Sequence, residues 1–504
     1  MKISPRGRAS ANRRRAWQIL EAPAEDNHDK QSARRRRGRE TRQRAWHILE
    51  APTGELPAVE TTTAMGPELP DEATVHFVLD LALRIGEVQM TNGAGASDVT
   101  ATILALANAL GLPHCEVDVI FTSITVSCHR GSDLPPVTAL RVVRSRSLDY
   151  TRLSDTELLV RKLTSGQISP EEAYSELHRI TGARHPYPRW VSTLAWGGMA
   201  ASIAVLLGGD GWTALVAFVI SSVVDRVGRL VNKVRLPFFF QQVVGGLVAT
   251  LTAIAIVNID VVPLDNGTLV VAAALTVLLS GLSTVSAVQD AITGYYVTAA
   301  GRSLEVALMS AGLITGVAFA IELAATLGAS RTPPPATTTL STYGLHVVML
   351  AGSSAAACFA LASYSRLRPL LVAGVAGAVG AASYGFLRLF ETDQITASGI
   401  AATLVGLGGG VLSRRLKVTP LVVAVSGITP LLPGFVTYSG LSRLAENGNL
   451  ATLMSAVAIG LALAAGVVLG EFLAQPLRTG LGRLERKLAG PRMAGPLVPG
   501  RRLD

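Results

Sequence analysis

Charge is what this chain has least of: Asp, Glu, Lys and Arg make up 16% of its 504 residues, against 49% apolar residues. With a mean hydropathy of +0.40, it is too apolar for an ordinary soluble enzyme and reads as a polytopic membrane protein. Cysteine is nearly absent. Cys115, Cys128 and Cys358 form no CxxC and no metal spacing, so neither a disulfide framework nor a zinc site is implied, only small buried side chains. GxxxxGK[ST], HExxH and GxSxG are missing as well, which removes ATP hydrolysis and the common membrane-hydrolase signatures. No enzyme and no cofactor is expected; secondary transport driven by an ion gradient remains. Lysine is scarce too, six against 39 arginines, as in GC-rich bacterial genomes.

What is present begins with a basic tail, residues 1–70, expected to lack a fold. Within it RRRAWQILEAP (Arg13–Pro23) recurs as RQRAWHILEAP (Arg42–Pro52). Trp17, Ile19 and Leu20 beside arginines suit an anionic leaflet, and an idle duplication is an equal reading; nucleic-acid binding is not expected. Residues 71–188 read as an α/β domain. The spacing predicts helices over 72–90 and 97–111, with Ser97 and Asp98 as N-cap candidates, then strands over 115–128 and 136–143. Helices return at 153–162 and 169–180, the second opened by Ser169-Pro170. Glu87, Asp98, His76 and His114 are scattered and make no catalytic set.

From Trp190 on, ten apolar segments of spanning length follow, near 190–208, 211–228, 237–258, 268–289, 304–328, 344–363, 369–387, 395–412, 418–439 and 450–473. The fourth is read as able to continue helically through Tyr295 and Tyr296. With the α/β domain in the cytoplasm, inside loops hold ten Lys/Arg, from Arg226 to Lys417, and outside loops three, Arg331, Arg388 and Arg443. This bias predicts cytoplasmic N- and C-termini in the plasma membrane. The first half is 189–330, the extracellular linker 331–343, the second half 344–474, and a basic cytoplasmic tail 475–504. Five spans per half means that related halves insert with opposite topology, as an inverted repeat. Ser280-Gly281 matches Ser426-Gly427, and Leu308–Ala311 (LMSA) matches Leu453–Ala456 at nearly the same offset.

The ninth segment is spoiled as a helix by SGITPLLPGF, where Pro430 and Pro433 remove N–H donors and Gly427 and Gly434 loosen the backbone. At membrane depth such a break is tolerated where protein or a water-filled cavity satisfies it. Its partner, SGLSTVSAVQD, carries Gly281 but no proline. Interrupted helices at corresponding positions mark a midplane substrate site. Candidate binding residues for substrate or proton are Asp290, Ser280, Ser283, Thr284, Ser426, Thr429, Gln241 and Glu305, since ionisable groups within spans are expensive. Ser283, Ser286 and Asp290 can share a helical face by i+3/i+4 spacing, and Gln241 and Gln242 are read either as lining the cavity or as bonding between helices. Asp290 has a second reading, a structural pair with Arg302. The glycines at 374, 377, 380 and 406–410 read as close-packing surfaces.

The TNGAGASDV turn, the strand ending ITVSCHRG, ISPEEAYSELHRI, LLSGLSTVSAVQDAITGYYVTAAGRSLE and ITPLLPG together resemble the bacterial threonine/serine exporter family, over about residues 71–475. The resemblance implies ten spans, a cytoplasmic N-terminal domain, and efflux of L-threonine and L-serine driven by the proton motive force. The matching positions are Gly93, Ser97, Ser280, Asp290, Arg302, Pro430, Pro433 and Gly434. Where a family motif has valine-proline-glycine, this chain has Leu279-Ser280-Gly281, still permissive of a break. Export of other small metabolites such as organic acids, and a membrane scaffold or sensor, are the competing readings. A homo-oligomer is left open.

Overall fold

The computed structural model describes residues 71–112, 114–130, 134–144, 147–258, 267–278, 281–329, 344–416 and 418–488. The expectations for 1–70, for 331–343 and for Ser280 lie outside them.

The N-terminal part comprises α1 (Glu72–Thr91), α2 (Ala96–Ala109), β1 (Cys115–Ile120), β2 (Ser123–Cys128), β3 (Val137–Val142), α3 (Tyr150–Thr164) and α4 (Pro170–Gly182). Asp71 accepts a hydrogen bond from the Thr74 N–H to start α1. Ser169 and Glu172 close a capping box at α4. The stretch read as one strand over 115–128 is a hairpin. Phe121 takes a left-handed φ of 53°, and the three strands pair antiparallel in the order β1-β2-β3. No Asn-Gly or Asp-Gly announces that turn. Helix α2 begins earlier than its polar residues suggested: Gly95 is the N-cap, and Ser97 and Asp98 lie in the first turn. Val78, Leu79, Ile85, Ile103, Ile124 and Leu177 share one core between helices and sheet.

The remaining helices are α5 (Arg189–Leu206), α6 (Gly211–Lys233), α7 (Phe238–Asn258), α8 (Gly267–Leu278), α9 (Gly281–Ile292), α10 (Tyr296–Thr326), α11 (Leu345–Ala362), α12 (Leu367–Leu389), α13 (Gln394–Leu416), α14 (Pro420–Ile428), α15 (Gly434–Asn447) and α16 (Ala451–Leu488). The protein is a polytopic helical membrane protein. Among the described residues six helices, α7, α10, α11, α12, α13 and α16, are long and apolar enough to cross a bilayer. Two bent pairs bring the number to as many as eight: α8 with α9 at 54°, and α14 with α15 at 47°. The first two expected spans form α5 and α6, which fall short of that standard. Arg189 opens α5, and α6 carries Asp225, Arg226, Arg229 and Lys233. Leu350, Leu371, Val375 and Leu389 stand exposed on the outer faces, as side chains bathed in lipid do.

Helix α9 does not continue through Tyr295 and Tyr296. Gly294, at φ 94°, turns the chain, and Tyr296 opens the 31-residue α10. The C-terminal basic stretch continues α16 without a break to Leu488.

Helix neighbours repeat between halves. In the first, α5 packs on α6, α6 on α7, α7 on α10, α9 on α10, and α8 on α5, α6 and α7; in the second, α11 to α16 pair in the same order. Across the halves each contact has its reciprocal: α9 with α16 and α15 with α10, α8 with α15 and α14 with α9, and α5 with α11.

Candidate functional site

The two broken helices meet at a cavity of about 290 Å³. Ser283 and Ser286 of α9, Arg302 and Glu305 of α10, Gln242 of α7 and Thr429 after α14 give it polar walls, and Trp196, Phe238 and Phe359 give it aromatic ones. Gln242 Oε1 is buried with no hydrogen-bond partner among the described residues, so the wall has an acceptor to offer a ligand.

Local sequence explains the break at Thr429. Helix α14 ends at Ile428, one 3-10 turn covers Thr429–Leu431, and α15 starts at Gly434. Pro430 and Pro433 cannot donate, and the Thr429 hydroxyl donates back to the Val425 carbonyl at 3.0 Å. Gly434 touches α8: a Cβ there would collide with Thr276 Oγ1 and lie 3.0 Å from the Ala272 carbonyl. Beyond the break a second cavity, of about 270 Å³, is lined by Pro430, Pro433, Tyr384, Arg388, Gln394 and Thr276. Leu432 lines both cavities. They lie toward opposite ends of α5, with Trp196 and Met199 in the first and Ile203 and Leu206 in the second.

The N-terminal part covers the first cavity. Gly93, at φ 97°, allows the turn between α1 and α2 to lie over α9. Ser286 Oγ donates to the Gly93 carbonyl at 3.2 Å, Arg302 Nη2 to the Ala94 carbonyl at 3.2 Å, and the Ala96 N–H to Asp290 Oδ1 at 2.7 Å. Gln289 donates to Asp98 at 3.2 Å. The hairpin turn docks too, the Phe121 N–H donating to Thr298 Oγ1 at 3.0 Å and the Thr298 hydroxyl to the Val119 carbonyl at 2.7 Å. Asp290 is fully buried and 3.0 Å from Arg302, its second oxygen at the N-terminus of α2, where the helix dipole favours a carboxylate.

Of the expected site residues, the structure brings Ser283, Thr429 and Glu305 to the cavity wall with Arg302. Asp290 lies behind that wall in the clasp just described. Thr284 faces a separate cavity of about 330 Å³ among α9, α10, α15 and α16. The Gln241 amide donates to the Leu236 carbonyl at 2.8 Å, and its neighbour Gln242 takes the wall position. Ser426 is fully buried beside Tyr150, whose phenol burial pushes up against the influence of that hydroxyl. Ser286, expected on one helical face with Ser283, and Gln242, expected with Gln241 either in the cavity or bonding between helices, both line the cavity. The aromatic walls Trp196, Phe238 and Phe359 are what sequence reasoning did not assign to it.

A further contact joins the N-terminal part to the second broken helix. Thr419, N-cap of α14, donates to Glu157 at 3.0 Å and lies 3.2 Å from Ser154 Oγ. Burial pushes Glu157 up to about 7; the Thr419 hydrogen bond and Arg161 act the other way, and Asp98 adds to the rise.

A family model described as "Putative threonine/serine exporter" matches residues 80–324, and one described as "Threonine/Serine exporter, ThrE" matches 349–473. A Mycobacterium tuberculosis protein named "Probable threonine/serine exporter" is 39% identical over 431 residues, 82% of this chain and 79% of that protein. The "Threonine/serine exporter" of Corynebacterium glutamicum is 33% identical over 442 residues, 84% of this chain and 89% of that protein. No solved structure matches. By both halves and by these relatives, the chain belongs to the threonine/serine exporter family.

Proposed function

We propose that this chain exports L-threonine and L-serine across the plasma membrane as a secondary transporter, by proton antiport with alternating access. The observation that carries the reading is the cavity walled by both breaks. A small hydroxylated zwitterion needs a cationic partner, an anionic one and hydroxyls, and Arg302, Glu305, Ser283, Ser286 and Thr429 supply these types within one wall. Gln242 Oε1 is a further acceptor for the ammonium. Glu305 can hold the ammonium or a proton but not both at once, which is the exclusivity that antiport requires. Asp290 and Arg302 then position the wall: their pair ties α9 and α10 to the turn above the cavity.

The reciprocal helix contacts support two inverted five-span halves, with α5 and α6 counted as spans and each bent pair as one. The two cavities about Leu432 support alternating access, one open toward each face in turn. The α/β part is cytoplasmic by the loop charges.

The experiment is threonine counterflow in proteoliposomes with an imposed pH gradient. Faster efflux of labelled threonine and serine from preloaded vesicles under an inward proton gradient supports the reading. Efflux of organic acids in their place moves the substrate class.

A further inference from the structure

The N-terminal part holds a cavity of its own, of about 310 Å³, between α1, β3, α3 and α4. Its charged lining is unbalanced: Arg84, Arg141 and Arg152 against Glu87 alone, with the His178 ring beside them. Arg84 lies 5.1 Å over the Tyr174 ring and donates to Asp80 at 2.7 Å. Arg141 pairs with Glu87 and reaches Asp80 at 3.4 Å. Arg152 lies 3.4 Å from Asp149. Thr91 and Ser147 line this cavity and also the one between the breaks. The two are joined by a hydrogen bond from the Ser147 N–H to the Thr91 carbonyl at 3.1 Å. A backbone bond between the last residue of α1 and a loop position therefore forms the partition between an arginine-lined chamber and the central cavity.

We propose that this chamber is the entry vestibule of the transport path, a site for the carboxylate of a small amino acid, with Thr91 and Ser147 as its inner door. The inference rests on the transport reading above. The N-terminal part is thereby a length of the conduit. Three cavities stand in series, joined first by Thr91 and Ser147 and then by Leu432. The arginines draw in a carboxylate, and their own acidic partners keep the site weak enough to release it inward. A planar guanidinium already engaged on one edge still offers donors on the other.

The test uses the full chain with Cys115, Cys128 and Cys358 replaced by alanine and Ser147→Cys added, in membrane vesicles with the cytoplasmic face outward. The rate of labelling by a methanethiosulfonate reagent is read with L-threonine, and with L-threoninol, which lacks the carboxylate. The vestibule predicts that threonine slows labelling at least threefold and threoninol does not. Arg84→Gln should abolish the protection and Arg84→Lys retain it. A bulky adduct at Ser147→Cys should cut counterflow at least tenfold, and a methylthio adduct less than twofold. Labelling indifferent to threonine, or full counterflow past the bulky adduct, overturns the proposal. A cysteine-free parent that transports no threonine, yet regains efflux on restoring its cysteines, fails only as a background; the protection assay then decides in the wild-type sequence carrying Ser147→Cys. If the wild type moves no threonine either, the transport reading fails, and the protection assay alone decides the vestibule as a binding site.

Discussion

Asp290 and Arg302 face each other at 3.0 Å across the turn between α9 and α10, both almost wholly withdrawn from solvent, Asp290 also holding the first N–H of α2 and Arg302 the Ala94 carbonyl just before it. Removing one partner leaves the other charge buried, at a cost of about 3–5 kcal/mol. Asp290→Asn is therefore expected to lower the melting temperature in detergent and expose the turn at Gly93 to proteolysis. Replacing both, as Asp290→Leu with Arg302→Met, should cost less than Asp290→Asn alone. Equal losses would show that the pair does not act as a unit.

Gly434 sits where α15 crosses α8, and any Cβ there meets Thr276. Gly434→Ala should destabilise by about 1–3 kcal/mol through overpacking, and Thr276→Ala in the same chain should recover a part. Thermal melts of the two single variants and the double check this.

Glu157 gives the fold a pH dependence. Its carboxyl ionises near 7 in the folded chain, against about 4.5 for the ordinary group. The folded state therefore binds more protons than the unfolded between those values, and stability falls as pH rises through them. The side chain is a quarter exposed, so the loss is on the order of 1–3 kcal/mol. The melting temperature should drop from pH 5 to pH 8, and Glu157→Gln should flatten that drop. An unchanged slope in the variant would assign the pH dependence elsewhere.

Much of the membrane part was legible in the sequence because apolar length and proline are local signals. Among the described residues, six of the ten apolar segments coincide with helices long and apolar enough to cross a bilayer and two more with bent pairs, and the break at Pro430 and Pro433 lies where their missing N–H groups demand it. The first-half break was legible only weakly, through Gly281. The start of α10 was misplaced because Gly294 turns the chain inside a run that still reads as helical. What sequence could not reveal was the clasp. The Ala96 N–H reaches Asp290 across 194 positions, and no pattern in either segment encodes that pairing. So Asp290, prominent as a carboxylate in an apolar run, lies behind the cavity wall, while Ser286 on its helical face and Gln242 form part of it.

Thr429 tests the hydroxyl contact. Thr429→Val removes one hydroxyl of the wall at nearly constant volume and should raise the half-saturation of threonine and serine about fivefold, a hydrogen bond of about 1 kcal/mol. An amino acid without a hydroxyl, such as alanine, should be unaffected. An equal change for all three would assign Thr429 to the backbone break alone.

The most direct test is counterflow of labelled L-threonine in proteoliposomes, wild type against Glu305→Gln, with and without a pH gradient. The account predicts that the wild type accelerates with the gradient, and that Glu305→Gln loses at least tenfold of its counterflow and all response to the gradient. Wild-type counterflow that survives Glu305→Gln and still follows the pH gradient would contradict it.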